Sequence, residues 1–275
     1  MNMSEDDLVL YEVRKRTARL TLNRPPVNAF NVGLFKALLK RLEQADNDPK
    51  VKCLVINSSS PKTFSAGIDI RVKPEDPKTY NIELVKTAIA VTEKMVLGKK
   101  PIVCVVNGPA IGWGMMVVMA SDLRIFVDKP DLFFRMPEVA LSMFPGTGAT
   151  VLSLLAFGLS YAKSILLTSD NFGLNDLPPR FATRIFKPEE LEQGVEDFLS
   201  QILKHKESIM YLVKSSLTIM NNKLISRWLT LEKECSLASI GGIGPSVEGE
   251  EPGLTQPKPV NELDDFIKEL FQRYP

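Results

Sequence analysis

Histidine is almost absent from this chain: the one among its 275 residues is His205, in the charged, helical-looking stretch His205-Lys206-Glu207-Ser208. A lone imidazole without Cys or acidic residues at ligand spacing argues against a zinc site, and no metal is expected. It also leaves a Ser or Cys nucleophile without the base that a catalytic triad needs. Cysteine is scarce too, with Cys53, Cys104 and Cys235 far apart. The first two fall in strand-like apolar runs and read as buried, reduced thiols. No apolar run reaches the roughly 18 residues of a membrane helix, so no membrane insertion is expected. Charge of one sign is missing as well, because 34 Lys and Arg face 33 Asp and Glu. That balance gives no electrostatic footprint for nucleic acid. The acidic opening MNMSEDD reads as neither a secretory signal nor a transit peptide, and Arg273-Tyr274-Pro275 is not a peroxisomal address. A cytoplasmic location is the resulting expectation. Any chemistry must rest on carboxylates, backbone donors or a bound cofactor.

What is present is most concentrated between Ile102 and Asp122, IVCVVNGPAIGWGMMVVMASD. IVCVV is β-branched and wholly apolar, as a buried strand is. Asn107-Gly108-Pro109 breaks it, and from Gly112 the pattern is apolar all round, as in a core helix. A strand, a tight turn and a buried helix place unpartnered helical N–H groups at the strand's end, where the helix dipole adds positive charge. Such a place suits an oxygen that turns negative during a reaction. A plain βα unit with a glycine turn fits the same residues.

The remainder predicts an α/β chain. Leu8 to Leu22 reads as two short strands, and Asn31 as the cap of a helix burying Leu34, Leu38, Leu39 and Leu42. Val51 to Ile56 is a buried strand, followed by the small-residue turn Phe64-Ser65-Ala66-Gly67-Ile68-Asp69-Ile70, in which Asp69 caps the next segment. Residues 80–98 form a helix with Ile82, Val85, Ile89, Met95 and Val96 inward. Strands are expected at Leu123–Val127, Asp131–Phe134 and Phe181–Phe186. Helices are expected after Phe144-Pro145-Gly146-Thr147-Gly148 and over 160–169. From Pro188 to about Ser239 the pattern is helical and amphipathic. Residues 241–259 read as a Gly/Pro-rich loop and 262–273 as a last short helix.

If the N–H groups of Ala66 and Trp113 converge on one carbonyl oxygen, they stabilise an enolate by several kcal/mol. A thioester oxygen acquires that charge when a proton leaves the neighbouring carbon. With histidine unavailable, the base is a carboxylate, and Glu138 among Phe133, Phe134, Met136 and Val139 has the apolar surroundings that raise a carboxyl pKa. A first-turn helix acid is the competing reading of Glu138.

Over about residues 8–230 the chain resembles the crotonase superfamily, also called the enoyl-CoA hydratase/isomerase family. The resemblance is carried by LTLNRPPVNAFN at 20–31, FSAGIDI at 64–70, VVNGPAIGWG at 105–114, MPE at 136–138 and PGTGAT at 145–150. It implies a crotonase-like spiral of ββα units over 1–190 with a C-terminal helical region over 191–275. It implies an acyl-CoA thioester as ligand, with coenzyme A arriving as part of the substrate and no separate cofactor, and a homotrimer or hexamer. Ala66 and Trp113 become the oxyanion-hole donors. Val27, Ala29, Ala66, Gly67, Ile68, Asp69 and Gly112 become substrate contacts. Hydratases of this family carry two glutamates, one three residues after the second oxyanion residue and one in the Pro-Glu pair. Here the first position is Met116 and the second is Glu138. One carboxylate suffices for a 1,3-proton shift, so the resemblance points to an isomerase that converts 3-enoyl-CoA to 2-enoyl-CoA. Alternatives are a weak hydratase, another enolate-stabilising enzyme, or a silent fold that binds acyl-CoA or a protein.

Overall fold

The computed structural model describes residues 4–239 and Gln272. The expected loop at 241–259 and helix at 262–273 therefore lie outside the described residues, Gln272 apart. A short helix α1 (Glu5–Leu8) precedes the hairpin of β1 (Val9–Arg14) and β2 (Thr17–Leu22). Its start was legible only as a Ser-x-x-Asp pair: the Asp7 carboxylate accepts from the Ser4 N–H at 3.2 Å and from its hydroxyl at 2.6 Å.

The chain then repeats one manoeuvre: a strand of the main sheet, a short rung of a second sheet, and a helix. β2 leads through Phe30 to α2 (Val32–Asn47), and β3 (Cys53–Ser58) leads through Ser65–Ile68 to α3 (Pro77–Leu97). β4 (Ile102–Val106) leads through β5 (Ala110–Ile111) to α4 (Trp113–Ala120), and β6 (Leu123–Val127) leads to β7 (Phe134–Arg135). The rungs pair Phe30 with Ile68, Ser65 with Ala110, and β5 with β7 in parallel. This is the spiral of ββα units. Helices α5 (Ala149–Phe157) and α6 (Leu159–Thr168) follow, then β8 (Arg184–Phe186), α7 (Leu191–Leu203) and α8 (Glu207–Ser239). The main sheet runs β1-β2-β3-β4-β6-β8, antiparallel in the hairpin and parallel beyond it.

Parallel strands covered on both faces should be largely apolar; β4 is wholly so, while β3 ends in Asn57-Ser58 and β6 admits Arg124. Leu54, Ile56, Cys104, Val106 and Phe126 face the large core shared with α2 to α5. Cys53, Val55, Val103, Val105 and Ile125 face the other way, onto Val195, Phe198 and Leu199 of α7. Both strand cysteines are buried, free thiols. Among the described residues no helix is long and apolar enough to cross a membrane.

Several elements differ from the sequence reading. The strand expected over 131–134 is the two-residue β7, because its partner β5 has only two residues to offer and Leu132 is already turning back onto the Lys129 carbonyl at 3.1 Å. The last strand starts at Arg184, since Phe181 packs into the core against Phe157, with ring centroids 5.1 Å apart. His205 lies in the bend between α7 and α8 rather than inside a helix. Helix α3 buries Asn81, Leu84, Ala88, Ile89, Val91, Thr92 and Met95, leaving Ile82, Val85 and Val96 half-buried. It packs against α2, α4 and α8, which blurs the single stripe that periodicity seeks.

Cations close the end of the sheet where the parallel strands begin. The Lys52 ammonium, just before β3, donates to the Leu203 carbonyl at 2.6 Å and to that of His205, at the end of α7. Lys100, before β4, donates to the Ala45 and Asp48 carbonyls at the end of α2, at 2.8 and 2.6 Å. Arg124 in β6 reaches the Ser121 carbonyl after α4 at 2.6 Å and the Phe181 carbonyl at 2.9 Å. Lys214 of α8 meets the Met95 carbonyl near the end of α3 at 3.2 Å and the Asp122 carboxylate at 2.7 Å. Helix C-termini expose carbonyls and negative dipole charge, so each cation satisfies what its helix leaves open.

Candidate functional site

At the opposite end of the strands, two turns are pressed together. Gly67 has φ +82°, and a Cβ there would come within 2.7 Å of the Ile111 carbonyl oxygen and 3.3 Å of the Trp113 nitrogen. Only glycine tolerates both the angle and the approach. Gly114 permits an equally close approach within α4, where a Cβ would lie 2.7 Å from the Ser65 carbonyl oxygen. The Ile111 and Gly112 N–H groups are taken by the carbonyls of Ser65 and Arg135 at 2.9 and 2.8 Å. The Trp113 N–H is thus the first of α4 left open, and it has no acceptor among the described residues.

The second donor is not Ala66. Its N–H points to the Val27 carbonyl at 2.9 Å, away from the site. The rung with Phe30 then uses the Gly67 carbonyl and the Asp69 N–H, at 2.6 and 2.8 Å, and leaves the intervening Ile68 N–H without an acceptor among the described residues. In a parallel bridge alternate amides face alternate sides, so the open donor falls at Ile68, two residues beyond the expected one. Ile68 and Trp113 line one cavity; Ala66 does not.

Val27 and Ala29 are also absent from that cavity. Their carbonyls serve the loop itself, Val27 receiving Ala66 and Ala29 receiving Arg24 Nη1 at 2.8 Å. Asn28, at φ +48° and fully buried, ties this loop to the next pass through Ser58 Oγ at 2.8 Å and the Phe64 carbonyl at 3.1 Å. Asp69 caps no helix. It accepts from Arg24 Nη1 at 2.8 Å and from Arg71 Nε at 3.0 Å. Burial pushes its carboxyl up, but the hydrogen bonds from Arg71 and Arg24 outweigh that and hold it below its ordinary value. The α3 cap is Asp76, which accepts from the Thr79 N–H at 3.1 Å.

Glu138 stands on a tight turn after Met136-Pro137, its own carbonyl accepting from Leu141 and Met143 at 3.0 and 2.8 Å. Its Oε1 fills the space beside Gly112, 2.9 Å from where a Cβ would be, at a residue with φ +49°. Glycine at 112 therefore lets the carboxyl rest against the start of α4. Oε2 is buried with no hydrogen-bond partner among the described residues. Burial pushes the Glu138 carboxyl up from 4.5 to about 7, as expected of an acid that works near neutrality. Of the apolar neighbours expected to raise it, Phe134 and Met136 are fully buried, whereas Val139 is 39% exposed.

The cavity that joins Ile68, Trp113 and Glu138 has a volume of about 70 Å³. Two open backbone donors and one unpartnered carboxyl around a small, largely apolar space can hold an oxyanion while a proton moves beside it. Comparison with known families places this arrangement. The profile of the enoyl-CoA hydratase/isomerase family matches residues 12–235. The chain belongs to the enoyl-CoA hydratase/isomerase family. A short-chain-enoyl-CoA hydratase of Clostridium acetobutylicum is 28% identical over 214 residues, covering 76% of this chain and 80% of that protein. A crotonyl-CoA hydratase of Syntrophomonas wolfei is 27% identical over 255 residues, 92% of this chain and 95% of that one. Among solved structures, an enoyl-CoA hydratase from Bacillus halodurans matches with a TM-score of 0.76 at 19% identity, over 84% of this chain and 94% of its own, a likeness of fold.

Within this enoyl-CoA hydratase/isomerase fold, the position that the family resemblance gives to a second glutamate holds Met116, buried and lining the same cavity. The far wall is Ser142 to Phe144 with Gly146 and Thr147. Trp113 pins that wall, its Nε1 donating to Thr147 Oγ1 at 3.1 Å while its ring packs edge-on to Phe35 at 4.5 Å. Two residues the sequence did not single out complete the surroundings. Glu232 of α8 accepts from the Gly148 N–H at 2.5 Å, Thr150 Oγ1 at 2.6 Å and the Val151 N–H at 3.0 Å, capping α5 from 81 or more residues away. Asn81 of α3 lines the cavity with its side-chain nitrogen unpartnered. A larger cavity, about 420 Å³, lies at the cation-lined end beside Arg124 and Lys214. Those two cations are already committed to Asp122 and backbone carbonyls.

Proposed function

We propose that this family member acts on acyl-CoA thioesters by stabilising an enolate, and that its reaction is the shift of a double bond from 3-enoyl-CoA to 2-enoyl-CoA. The Glu138 carboxylate removes a proton from C2, and the electron pair moves onto the thioester oxygen, which sits between the Ile68 and Trp113 N–H groups. The protonated Glu138 then returns the proton at C4 as the double bond settles between C2 and C3. No water enters and no atom is lost. The observation that carries this reading is the pairing of one unpartnered, pKa-raised carboxyl with a methionine, Met116, where hydration would need a second acid.

Hydration is the second reading, favoured by the hydratase names of both curated relatives. A catalytically silent acyl-CoA binder is the third. The family resemblance supports a homotrimer or hexamer as the working assembly, and a cytoplasmic setting is part of the same proposal. The deciding experiment runs 3-enoyl-CoA isomerisation and 2-enoyl-CoA hydration side by side, on the wild type and on Met116→Glu. The wild type should isomerise and barely hydrate, and Met116→Glu should gain hydration. A wild type that hydrates faster than it isomerises would assign the chain to the hydratases, and turnover of neither substrate would leave the binder.

A further inference from the structure

Asn81 lies in the second turn of α3 and is 8% exposed. Its Nδ2 is buried and meets no acceptor among the described residues, yet Asn81 lines the cavity that holds Glu138. An amide donor buried and unmet costs about 1–3 kcal/mol, and an apolar residue beside Leu84 and Val85 would avoid that cost. Three hydroxyls share the cavity, but two of them are engaged. Thr147 Oγ1 accepts from Trp113 Nε1 at 3.1 Å, and Ser236 Oγ donates to the Glu232 carbonyl at 2.7 Å. Besides the exposed Ser142 hydroxyl, Glu138 Oε2 is the other buried side-chain atom here without a partner among the described residues, and in the proposed reaction it is the proton carrier. Asn81 therefore contributes a donor for which the proton shift has no use.

The rest of the lining limits what that donor can meet. Ile68, Leu84, Val85, Met116, Met143 and Phe144 offer no partner, and no Lys or Arg is present among the described lining residues. A carboxylate on the acyl chain would therefore enter next to Glu138 with nothing to balance it. A neutral oxygen brings an acceptor without charge. The volume of about 70 Å³ restricts the fit to a short acyl segment.

We propose that Asn81 is a specificity-determining residue, donating from its carboxamide to a neutral oxygen (keto or ether) carried on a short acyl chain of the thioester substrate. The proposal rests on the acyl-CoA reading above and names which acyl groups that site prefers.

The test is calorimetric binding of matched, non-reacting thioesters: pentanoyl-CoA against 4-oxopentanoyl-CoA, and hexanoyl-CoA against its ether isostere 4-methoxybutanoyl-CoA. The wild type should bind at least one oxygen-bearing member about tenfold more tightly than its partner, the scale of one added hydrogen bond. Asn81→Leu should erase or reverse that ratio, and Asn81→Ala reads the same ratio should leucine prevent folding. A merely structural asparagine would change the affinities of both members together. Equal affinity within each pair for the wild type, or a preference that survives in a folded variant, would overturn the assignment while leaving the acyl-CoA reading intact. Binding of none of these thioesters would overturn both.

Discussion

The two ends of the parallel sheet treat polar groups in opposite ways. Where the strands begin, Lys52, Lys100, Arg124 and Lys214 each donate to carbonyls or to Asp122, and Asp122 also accepts from the Ile102 N–H at 2.8 Å. Where the strands finish, the Ile68 and Trp113 N–H groups, Asn81 Nδ2 and Glu138 Oε2 meet nothing among the described residues. Both ends bury charged or polar atoms in tight turns, so burial alone does not separate scaffold from site. Satisfaction does. Native proteins pair almost all of their buried polar atoms, and a cluster of unmet ones in a single cavity marks where ligand atoms complete the set.

The sharpest way to break this contrast is Glu138→Gln. The amide keeps the shape and cannot carry a proton, so turnover should fall by about 10²–10⁴-fold, the usual contribution of a general base. An assay showing wild-type turnover in the folded variant would remove Glu138 from the chemistry. Lys214→Met attacks the other end. It takes the cation from the part-exposed Asp122 carboxylate and leaves the Met95 and Lys100 carbonyls without their donor, and should cost about 1–3 kcal/mol in denaturant unfolding while leaving the activity of the folded fraction intact. A loss of activity without loss of stability would mean that the two ends are not so different after all.

A comparable effect appears in the pH dependence of stability. The folded Glu138 carboxyl titrates at about 7 and the ordinary one at 4.5, so the folded state holds the proton more tightly between those values. Below pH 4.5 both states are protonated and the residue costs nothing. As pH rises from 4.5 to 7 the unfolded chain releases this proton while the folded one keeps it, and stability falls by about 3 kcal/mol relative to a chain without the group, levelling off above 7. Glu138→Gln should therefore match the wild type at pH 4.5 and exceed it at pH 8. Parallel stability curves for the two proteins would show that the carboxyl is not held in its neutral form.

Much of the framework was legible because it is local. Ile102 to Ala120 read as a buried strand, a glycine turn and a wholly buried helix, and all eight residues of α4 are buried. Asn31 caps α2 as its side chain implied, accepting from the Leu34 N–H at 2.9 Å. The second open amide was harder: the small-residue turn was visible, but which amide faces the cavity depends on its bridge to Phe30, some 38 residues earlier. Asn81 was hidden by α3 itself, whose three packed sides give no clean stripe against which a misplaced polar residue would stand out. Glu232 was out of reach for the same kind of reason, because a cap supplied by a distant helix leaves no signature in the helix it caps.

That distant cap carries its own consequence. Residues 142–147, one whole side of the reaction chamber, run straight into the α5 N-terminus that Glu232 anchors, and Gly146 packs so closely on Ser236 that even a methyl group there would overlap it. A polypeptide cut between the end of α7 and position 232 would still encode Ile68, Asn81, Trp113 and Glu138. It would have nowhere to hang the cavity's outer panel, so α8 shapes the space that the Glu138 carboxyl enters.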